Sequence, residues 1–471
     1  MDVFTQKRIG ERARRLSLSQ LSCMGRHTIT GLLCSNGRQF VDWSADYRFF
    51  SKDKWQPQQL FGPIIEGVLN LLPEGAPFVT ALDDTHLRKT GTKIPGVAYR
   101  RDPLSPKFNC NLIRAQRYLQ LSAQAYTQTN PTAARALPIR FEHSPSVPKP
   151  KHTASPEEWA DYRKECRQKN LSTHAVAMLQ ETREQLDQKH QAQLRELIVS
   201  TDGSYTNKTV LRGLPQHTIL IGRFRKDASL FYPLSPEDQA SRGTRRQYGQ
   251  PAPTPEQVRT DDTIPWQEIK AVGPGGLHTF RIKTLSPVFW KKAGAKKPLQ
   301  LVVIAPVGYR LRKGSRLLFR KPAYLICTDL KLSLAKVVQY YLWRWDIEVN
   351  HRDEKQLIGV GQAQVWSPQS VERQPAFAVA SYAMLLLATI QAFGLEATQA
   401  VLPPPKWRIP KTMARISTQR SLQQLHSEVW SYVLNVPEIH CNDFLTMDQV
   451  VTKCPESQLP LASTVLYVAS G

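Results

Sequence analysis

Two short apolar runs that stop at aspartate constrain the fold of this chain more than any other feature. PFVTAL (77–82) precedes Asp83-Asp84, and LIV (197–199) lies shortly before Asp202. Runs of this length, bounded by turn-forming residues, predict buried strands rather than helices. An aspartate at the end of a buried strand is costly unless it is paired, hydrogen-bonded or bound to a metal. Taken singly, each is typical of a turn or a helix cap, so the acids indicate either turn chemistry or part of a metal site.

The order of the other segments predicts an α/β protein. Residues 139–155 are proline-rich and indicate a break, whereas residues 207–330 read as strands joined by basic turns. The pattern becomes helical from Ser333 to about Leu357. This order implies an α/β core interrupted by a β-rich insertion. The predicted division is a helical, DNA-binding domain (1–76), the first part of the core (77–224), the insertion (225–320), the second part of the core (321–395) and a basic helical region (396–471).

The helix predicted from Ser333 carries a stripe of four reactive residues. They are spaced so that a helix, which turns about 100° per residue, places them within a wedge of roughly 60°. Three further acids of the segment, Asp346, Asp353 and Glu354, fall off that wedge. An amphipathic helix can also carry such a line by chance, with an ordinary i, i+4 ion pair. The stripe consists of Tyr341, Arg344, Glu348 and Lys355.

The charge of the chain predicts a polyanionic partner. The net charge is +24 and the isoelectric point is near 9.8, which suits DNA, RNA or an anionic membrane. LSLSQLSCMGRHTITGLLCSNG resembles a helix-turn-helix in spacing, with His27 and Thr28 at the start of its second helix, although plain helical hairpins share this spacing. Lys406 and Arg408 belong to a basic, acid-free segment that is either a solvated linker or a surface for DNA phosphates. Arg352 is a further candidate DNA contact on the helix of the stripe.

Compartment and membrane signals are weak in this sequence. The N-terminal residues contain no apolar signal segment, and the run from Pro375 to Gly394 contains enough polar residues to read as a buried core helix. The seven cysteines form no C-x2-C pair, so neither a disulfide framework nor a zinc ribbon is indicated. We therefore expect a cytoplasmic, nucleoid-associated protein with no membrane role.

Three acids could form one metal site. Asp84, Asp202 and Glu348 are hard oxygen donors of the kind that Mg²⁺ or Mn²⁺ prefers. Two such ions about 3.5–4 Å apart would suit an in-line phosphoryl displacement. Arg344 and Lys355 would position a DNA strand, and Tyr341 would bind a phosphate or stack on a base.

These residues resemble the signature of a known family. YLWRWDIEVNHRDEK meets the pattern Y-x2-R-x3-E-x6-K of the insertion-sequence DDE transposases with the Tyr-Arg-Glu-Lys signature. STDGSY is similar to the second motif of that family, in which Gly and an aromatic residue follow the catalytic Asp closely. ALDDT is similar to the first motif, whose catalytic Asp precedes Thr, and this favours Asp84 over Asp83. Strand alternation puts those two on opposite faces, so only one should reach the metals.

The resemblance implies a fold, a reaction and partners. The fold would be an RNase H-like catalytic core (α/β) interrupted by a β-rich insertion between the second Asp and the Glu. The reaction would be cut-and-paste transposition: nicking at the transposon end, attack of the freed 3′-hydroxyl to give a hairpin, reopening by water and joining to target DNA. Two Mg²⁺ or Mn²⁺ ions, terminal inverted repeats, target DNA and a homodimer on DNA are expected. Trp266 and Trp290 lie in the insertion, where the family stacks a tryptophan on a flipped base, but a core role suits each of them better.

Two alternatives share these observations. A domesticated DNA-binding protein that no longer cuts would account for the charge and the helix-turn-helix-like start. A metal-dependent DNA nuclease without strand transfer would use the same three acids. Only cleavage and joining of DNA separate these alternatives from a transposase.

Overall fold

The computed structural model describes residues 3–52, 54–102, 105–106, 108–189, 192–193, 195–235, 247–273, 276–294, 297–396 and 415–434. Lys406 and Arg408, two of the predicted DNA contacts, lie outside the described residues. The chain divides into two compact units, each assembled from separate stretches of sequence. Unit 1 comprises Met1–Pro73, Asp84–Ser146 and Asp346–Gly471, and unit 2 comprises Glu74–Asp83 and Val147–Trp345.

Both helices and strands occur along the described residues, as in a mixed α/β protein. The helices are α1 (Lys7–Ser22), α2 (Ile29–Ser35), α3 (Ser44–Ser51), α4 (Gly62–Leu71), α5 (Pro156–Gln168), α6 (Leu171–Asp187), α7 (Lys208–Gly213), α8 (Pro255–Thr260), α9 (Leu334–Trp343), α10 (Trp345–Gln356), α11 (Pro368–Phe393) and α12 (Thr418–Leu434). The strands are β1 (Phe78–Arg88), β2 (Ala98–Arg101), β3 (Leu112–Ala125), β4 (Arg135–His143), β5 (Leu197–Thr201), β6 (Thr218–Arg223), β7 (Leu230–Phe231), β8 (Pro251–Ala252), β9 (Gln267–Gly273), β10 (Gly276–Val288), β11 (Leu299–Ile304), β12 (Gly308–Tyr309), β13 (Leu318–Phe319) and β14 (Ala323–Cys327).

The sheet of unit 2 begins with the first half of β1. Phe78–Leu82 pairs in parallel with β5, and β5 pairs in parallel with β6. All five residues of β5 are buried, and the first three, Leu197–Val199, form the continuous apolar run of the sequence. β14, β11, β10 and β9 follow in that order, each antiparallel to its neighbour. Strands of the predicted insertion therefore extend the sheet of this unit, while β7–β8 and β12–β13 form separate pairs.

Unit 1 packs helices on an antiparallel group of strands. β3 pairs with β2 on one side and β4 on the other, and β1 neighbours it as well. Helix α11 forms the core of the unit: the Tyr118 hydroxyl donates to the Val371 carbonyl at 2.7 Å. The Phe377 ring of this helix lies 5.4 Å from the Phe49 ring and 5.5 Å from the Phe50 ring. The N-terminal helices therefore share one core with a helix from the far end of the chain.

Helix α11 is also the one helix in the described part of the chain that is long and apolar enough to cross a membrane. Of its most apolar window, 83% is buried inside the protein, which is the environment of a core helix. A membrane protein is therefore not indicated.

Three sequence expectations differ from the structure. β1 does not stop at Asp83-Asp84 but continues to Arg88, because Thr85 and Leu87 are buried in alternation. The sequence predicts that the proline-rich break begins at residue 139, but strand β4 continues to His143. Pro138 of this strand lies beside a shift in the pairing register, which accommodates the proline. The single helix expected from Ser333 is two helices, α9 and α10, which meet at Arg344.

Candidate active site

Asp202 lies directly after β5 in unit 2. The register pairs Leu82 with Thr201, so Asp83 and Asp202 each directly follow a residue of the last pair of these parallel strands. The Asp202 carboxylate accepts hydrogen bonds from the Ser204 backbone N–H at 2.9 Å and the Ser204 hydroxyl at 3.1 Å. Its backbone carbonyl accepts from the Thr206 hydroxyl at 2.9 Å. These contacts stabilise the turn that follows the strand, and they fix the orientation of the half-buried Asp202 carboxylate.

The first half of the stripe joins Asp83 in unit 2. Arg344 Nη1 donates to Asp83 Oδ2 at 3.3 Å, and the Arg344 guanidinium lies 5.9 Å from the centre of the Tyr341 ring. Burial raises the pKa of Tyr341; the neighbouring Arg344 and Arg223 oppose this rise, and the charge of Asp202 adds to it. The hydroxyl of Tyr341 therefore stays protonated at neutral pH and acts as a hydrogen-bond donor.

Asp84 belongs to a cationic group of residues in unit 1. His86 follows it by two residues on β1, and His86 Nε2 lies 3.9 Å from Asp84 Oδ2. Burial lowers the pKa of His86; Asp84 opposes this shift, and the positive charges of Arg100, Arg117 and Lys355 add to it. An aspartate and the stripe lysine thus share one neighbourhood with two arginines from other strands.

Glu348 lies half-buried on α10, in unit 1. The three other acids of this helix are accounted for by structural pairs. Asp346 accepts from Arg415 at 2.8 and 3.0 Å, Asp353 accepts from Arg352 at 3.0 and 2.9 Å, and Glu354 lies 3.4 Å from His351. Asp346, Asp353 and Glu354 therefore each have an ionisable partner, and the choice of Glu348 as the catalytic acid of α10 rests on the sequence spacing.

The donors suit a hard divalent cation, although no complete site is assembled. Asp84 and Glu348 belong to unit 1 and Asp202 to unit 2. Within the described ranges, no group of three His, Cys, Asp or Glu side chains is close enough to hold a metal ion. Carboxylates are nevertheless the ligands that Mg²⁺ and Mn²⁺ prefer, so the chemistry of the three acids fits these ions. The convergence of Asp84, Asp202 and Glu348 on a metal pair stays a prediction.

The predicted DNA contacts near the N-terminus have structural roles. Only 7% of His27 is exposed, and its backbone N–H donates to Gln362 Oε1 at 2.8 Å. Burial lowers the pKa of His27, so its ring is neutral at pH 7 and offers DNA no charge. The Thr28 hydroxyl caps α2 by accepting from the Gly31 N–H at 3.1 Å. Arg352 keeps an exposed side chain beside its Asp353 partner.

Sequence reasoning missed Arg100, Arg117 and His86. Arg100 lies on β2, Arg117 on β3 and His86 on β1, and none of them belongs to a motif of the chain. Only the spacing of His86, two residues after Asp84 on a strand, could have drawn attention to it.

Comparison with known proteins identifies the family. A family model described as DDE superfamily endonuclease matches residues 1–292, which is more than half of the 471-residue chain. The matched range contains Asp84 and Asp202 and ends before Glu348. No curated protein matches the chain. On the strength of the family match, the chain belongs to the DDE superfamily endonucleases.

Proposed function

We propose that this protein is a DNA transposase that moves an insertion sequence by a cut-and-paste reaction. Membership of the DDE superfamily endonucleases supports action on DNA. The observation that carries the proposal is the surroundings of Asp84, Asp202 and Tyr341, which come one from each of the three motifs. Asp84 lies beside cationic residues in unit 1, and Asp202 lies near Tyr341 in unit 2.

In the proposed site, the acids bind the metal ions, and the basic and hydroxyl side chains bind the DNA strand. Asp84, Asp202 and Glu348 would hold two Mg²⁺ or Mn²⁺ ions, which when bound supply an activated water or 3′-hydroxyl and stabilise the departing oxygen. Arg344 is fixed by Asp83 and would donate to a phosphate of the bound strand. Tyr341, kept protonated by burial, would donate a further hydrogen bond or stack on a base. Lys355 would add a positive charge at the same strand.

The proposed reaction begins with a nick at each transposon end. The freed 3′-hydroxyl attacks the opposite strand and gives a hairpin, water reopens the hairpin, and the 3′-ends join target DNA. The sheet architecture is compatible with an RNase H-like core, since β1, β5 and β6 are parallel and β3 is antiparallel to its neighbour β4. Pairing of two ends implies a homodimer on DNA. We expect the protein in the cytoplasm, at the nucleoid.

Replacement of Glu348 by Gln tests the proposal. The full-length protein is incubated with Mg²⁺ and a duplex taken from the DNA that flanks its own gene, and nicked and joined products are separated on a gel. Glu348→Gln should abolish nicking while leaving duplex binding within about twofold, because the amide keeps the shape and loses a charged ligand. Asp161→Asn, at an exposed acid of α5, is the control and should retain nicking. Full activity of Glu348→Gln would refute the assignment.

The same assay separates the two alternatives. The net charge of +24 favours a DNA-binding protein that no longer cuts, and such a protein would bind the duplex with no Mg²⁺-dependent product. A nuclease without strand transfer would release cut ends but would give no product joined to target DNA.

A further inference from the structure

One face of the strands in unit 1 gathers positive charge around Asp84. β2 pairs with β3 so that Arg100 is opposite Ile113, and residues 113 and 117 of β3 point to the same side. Arg100 and Arg117 therefore share a face. The charges of both arginines and of Asp84 act on His86, which puts all four residues in one neighbourhood. This cluster, Asp84, His86, Arg100 and Arg117, is called the β-face cluster below.

Two other arginines on these strands form ion pairs with acids. Arg88 Nη2 lies 2.8 Å from Asp102 Oδ2, and Arg140 Nη1 lies 3.7 Å from Glu142 Oε1. Near His86, the positive charges of Arg100, Arg117 and Lys355 outnumber the negative charge of Asp84. Three cations around one acid make this neighbourhood locally positive, which favours the approach of an anion.

The two guanidinium groups are incompletely hydrogen-bonded. Among the described residues, Nε of Arg100 and Nε of Arg117 are buried and have no hydrogen-bond partner. Arg100 reaches the Ser146 hydroxyl through Nη2 at 3.1 Å, so this contact fixes its side chain while leaving Nε unused. Burial lowers the pKa of Arg100 to about 10, and the charge of Arg117 adds to the shift. Two like charges that act on each other in a partly buried position are costly, and an oxyanion that accepts from both would offset that cost.

We propose that Arg100 and Arg117 form a phosphate-binding subsite beside Asp84, which holds a phosphodiester of the DNA strand next to this acid. The proposal rests on the proposed function, because it takes DNA as the ligand. The planar guanidinium fork matches two oxygens of one phosphate. Both residues are binding residues: they would hold the strand, whereas the acids would hold the metal.

The experiment measures binding of a short fluorescent DNA duplex to the full-length protein over a series of salt concentrations. Ca²⁺ replaces Mg²⁺, and the DNA is recovered on a gel to check that it is intact. Each lost phosphate contact lowers the slope of log K against log[salt] by about 0.9, which at 0.1 M salt is roughly an eightfold loss of affinity. We expect this change for Arg100→Gln and for Arg117→Gln, and about twice the change in slope for the double variant.

Matched variants separate binding from folding. Arg101→Gln removes the same charge from the next residue of β2, whose exposed side chain points to the other face, and it should leave the slope unchanged. Arg117→Lys keeps the charge and should recover part of the affinity. Thermal unfolding of every variant shows whether the fold survives.

Each result decides between the proposals. Wild-type binding with the expected slope changes supports the subsite. One contrary result is that Arg100→Gln and Arg117→Gln bind DNA with the same slope as the wild type and Arg101→Gln, and another is that they change only the unfolding temperature. Either result shows that the two arginines are structural. The subsite is then refuted, while the proposed function stands. If the wild type binds no DNA, the proposed function itself fails.

Discussion

Replacing Asp46 by asparagine should lower the free energy of unfolding of unit 1 by about 2–3 kcal/mol. Asp46 is fully buried on α3 and forms ion pairs with three arginines from elsewhere in the N-terminal region. Asp46 Oδ1 accepts from Arg15 at 2.7 Å and from Arg12 at 3.2 Å, and Asp46 Oδ2 lies 3.7 Å from Arg38 Nε. One carboxylate therefore joins α1, α3 and the turn between α2 and α3.

The magnitude follows from the hydrogen bonds that the change affects. A hydrogen bond to a charged group contributes about 1.5–3 kcal/mol, and both bonds to Asp46 Oδ1 lose their charge assistance in the amide. The amide also places an N–H₂ group near Arg38, where the carboxylate had an acceptor. The arginine side chains are 22–34% exposed, so water recovers part of the loss. The net effect is smaller than the roughly 3–5 kcal/mol that breaking a wholly buried pair costs.

Urea unfolding of the full-length protein measures this effect. Circular dichroism and tryptophan fluorescence follow the transition, since Trp43 and Trp55 flank α3. Asp42→Asn is the matched control, because Asp42 is an exposed acid near α3 that keeps an oxygen to accept from the Ser44 N–H after the change. We expect the control to stay within about 0.5 kcal/mol of the wild type. An Asp46→Asn protein as stable as this control would show that the arginines do not hold these helices together.

Two further predictions concern buried positions in unit 1. Burial lowers the pKa of Lys89 from 10.5 to about 8, so the unfolded chain binds more protons between these values and stability should rise with pH across this window. Urea midpoints measured from pH 7 to pH 10 should therefore rise for the wild type relative to Lys89→Met, and a constant difference would contradict the reasoning. Gly359→Ala should destabilise by about 1–3 kcal/mol more than Gly37→Ala. Both glycines have φ of +70°, but a Cβ at Gly359 would lie 2.5 Å from the His27 ring, whereas Gly37 has nothing within 4 Å. Equal unfolding free energies for the two variants would exclude this clash.

The strongly periodic or fully buried segments could be predicted from the sequence. Residues 197–199 are uniformly apolar because β5 is buried on both faces, and the start of this strand needs no distant information. The end of β1 could not be predicted in the same way. Asp83 and Asp84 read locally as a turn, and the strand continues because buried residues further along alternate with exposed ones.

The residues of the candidate site could be predicted only where they belong to a sequence motif. Spacing on a helix brought Tyr341 and Arg344 together, and the structure has them in contact. The partnership of Arg100 with Arg117 depends on the pairing of β2 with β3, which no local pattern contains. His27 was assigned to DNA from its position before a helix, but its burial depends on a loop 335 residues away. Long-range contacts of this kind are set by packing, and the local sequence does not encode them.

The core that unit 1 shares between its two ends has a consequence for synthesis on the ribosome. The Arg373 guanidinium donates to the Trp55 carbonyl across 318 residues of sequence. At translation rates of about 5–20 residues per second, α1, α3 and α4 are synthesised roughly 15–60 s before α11, the helix that covers their apolar faces. Unit 2 is complete in the nascent chain before that helix emerges, since it ends at Trp345. The newly made N-terminal helices therefore expose apolar surface during this interval, and a ribosome stalled before Pro368 would keep that surface accessible.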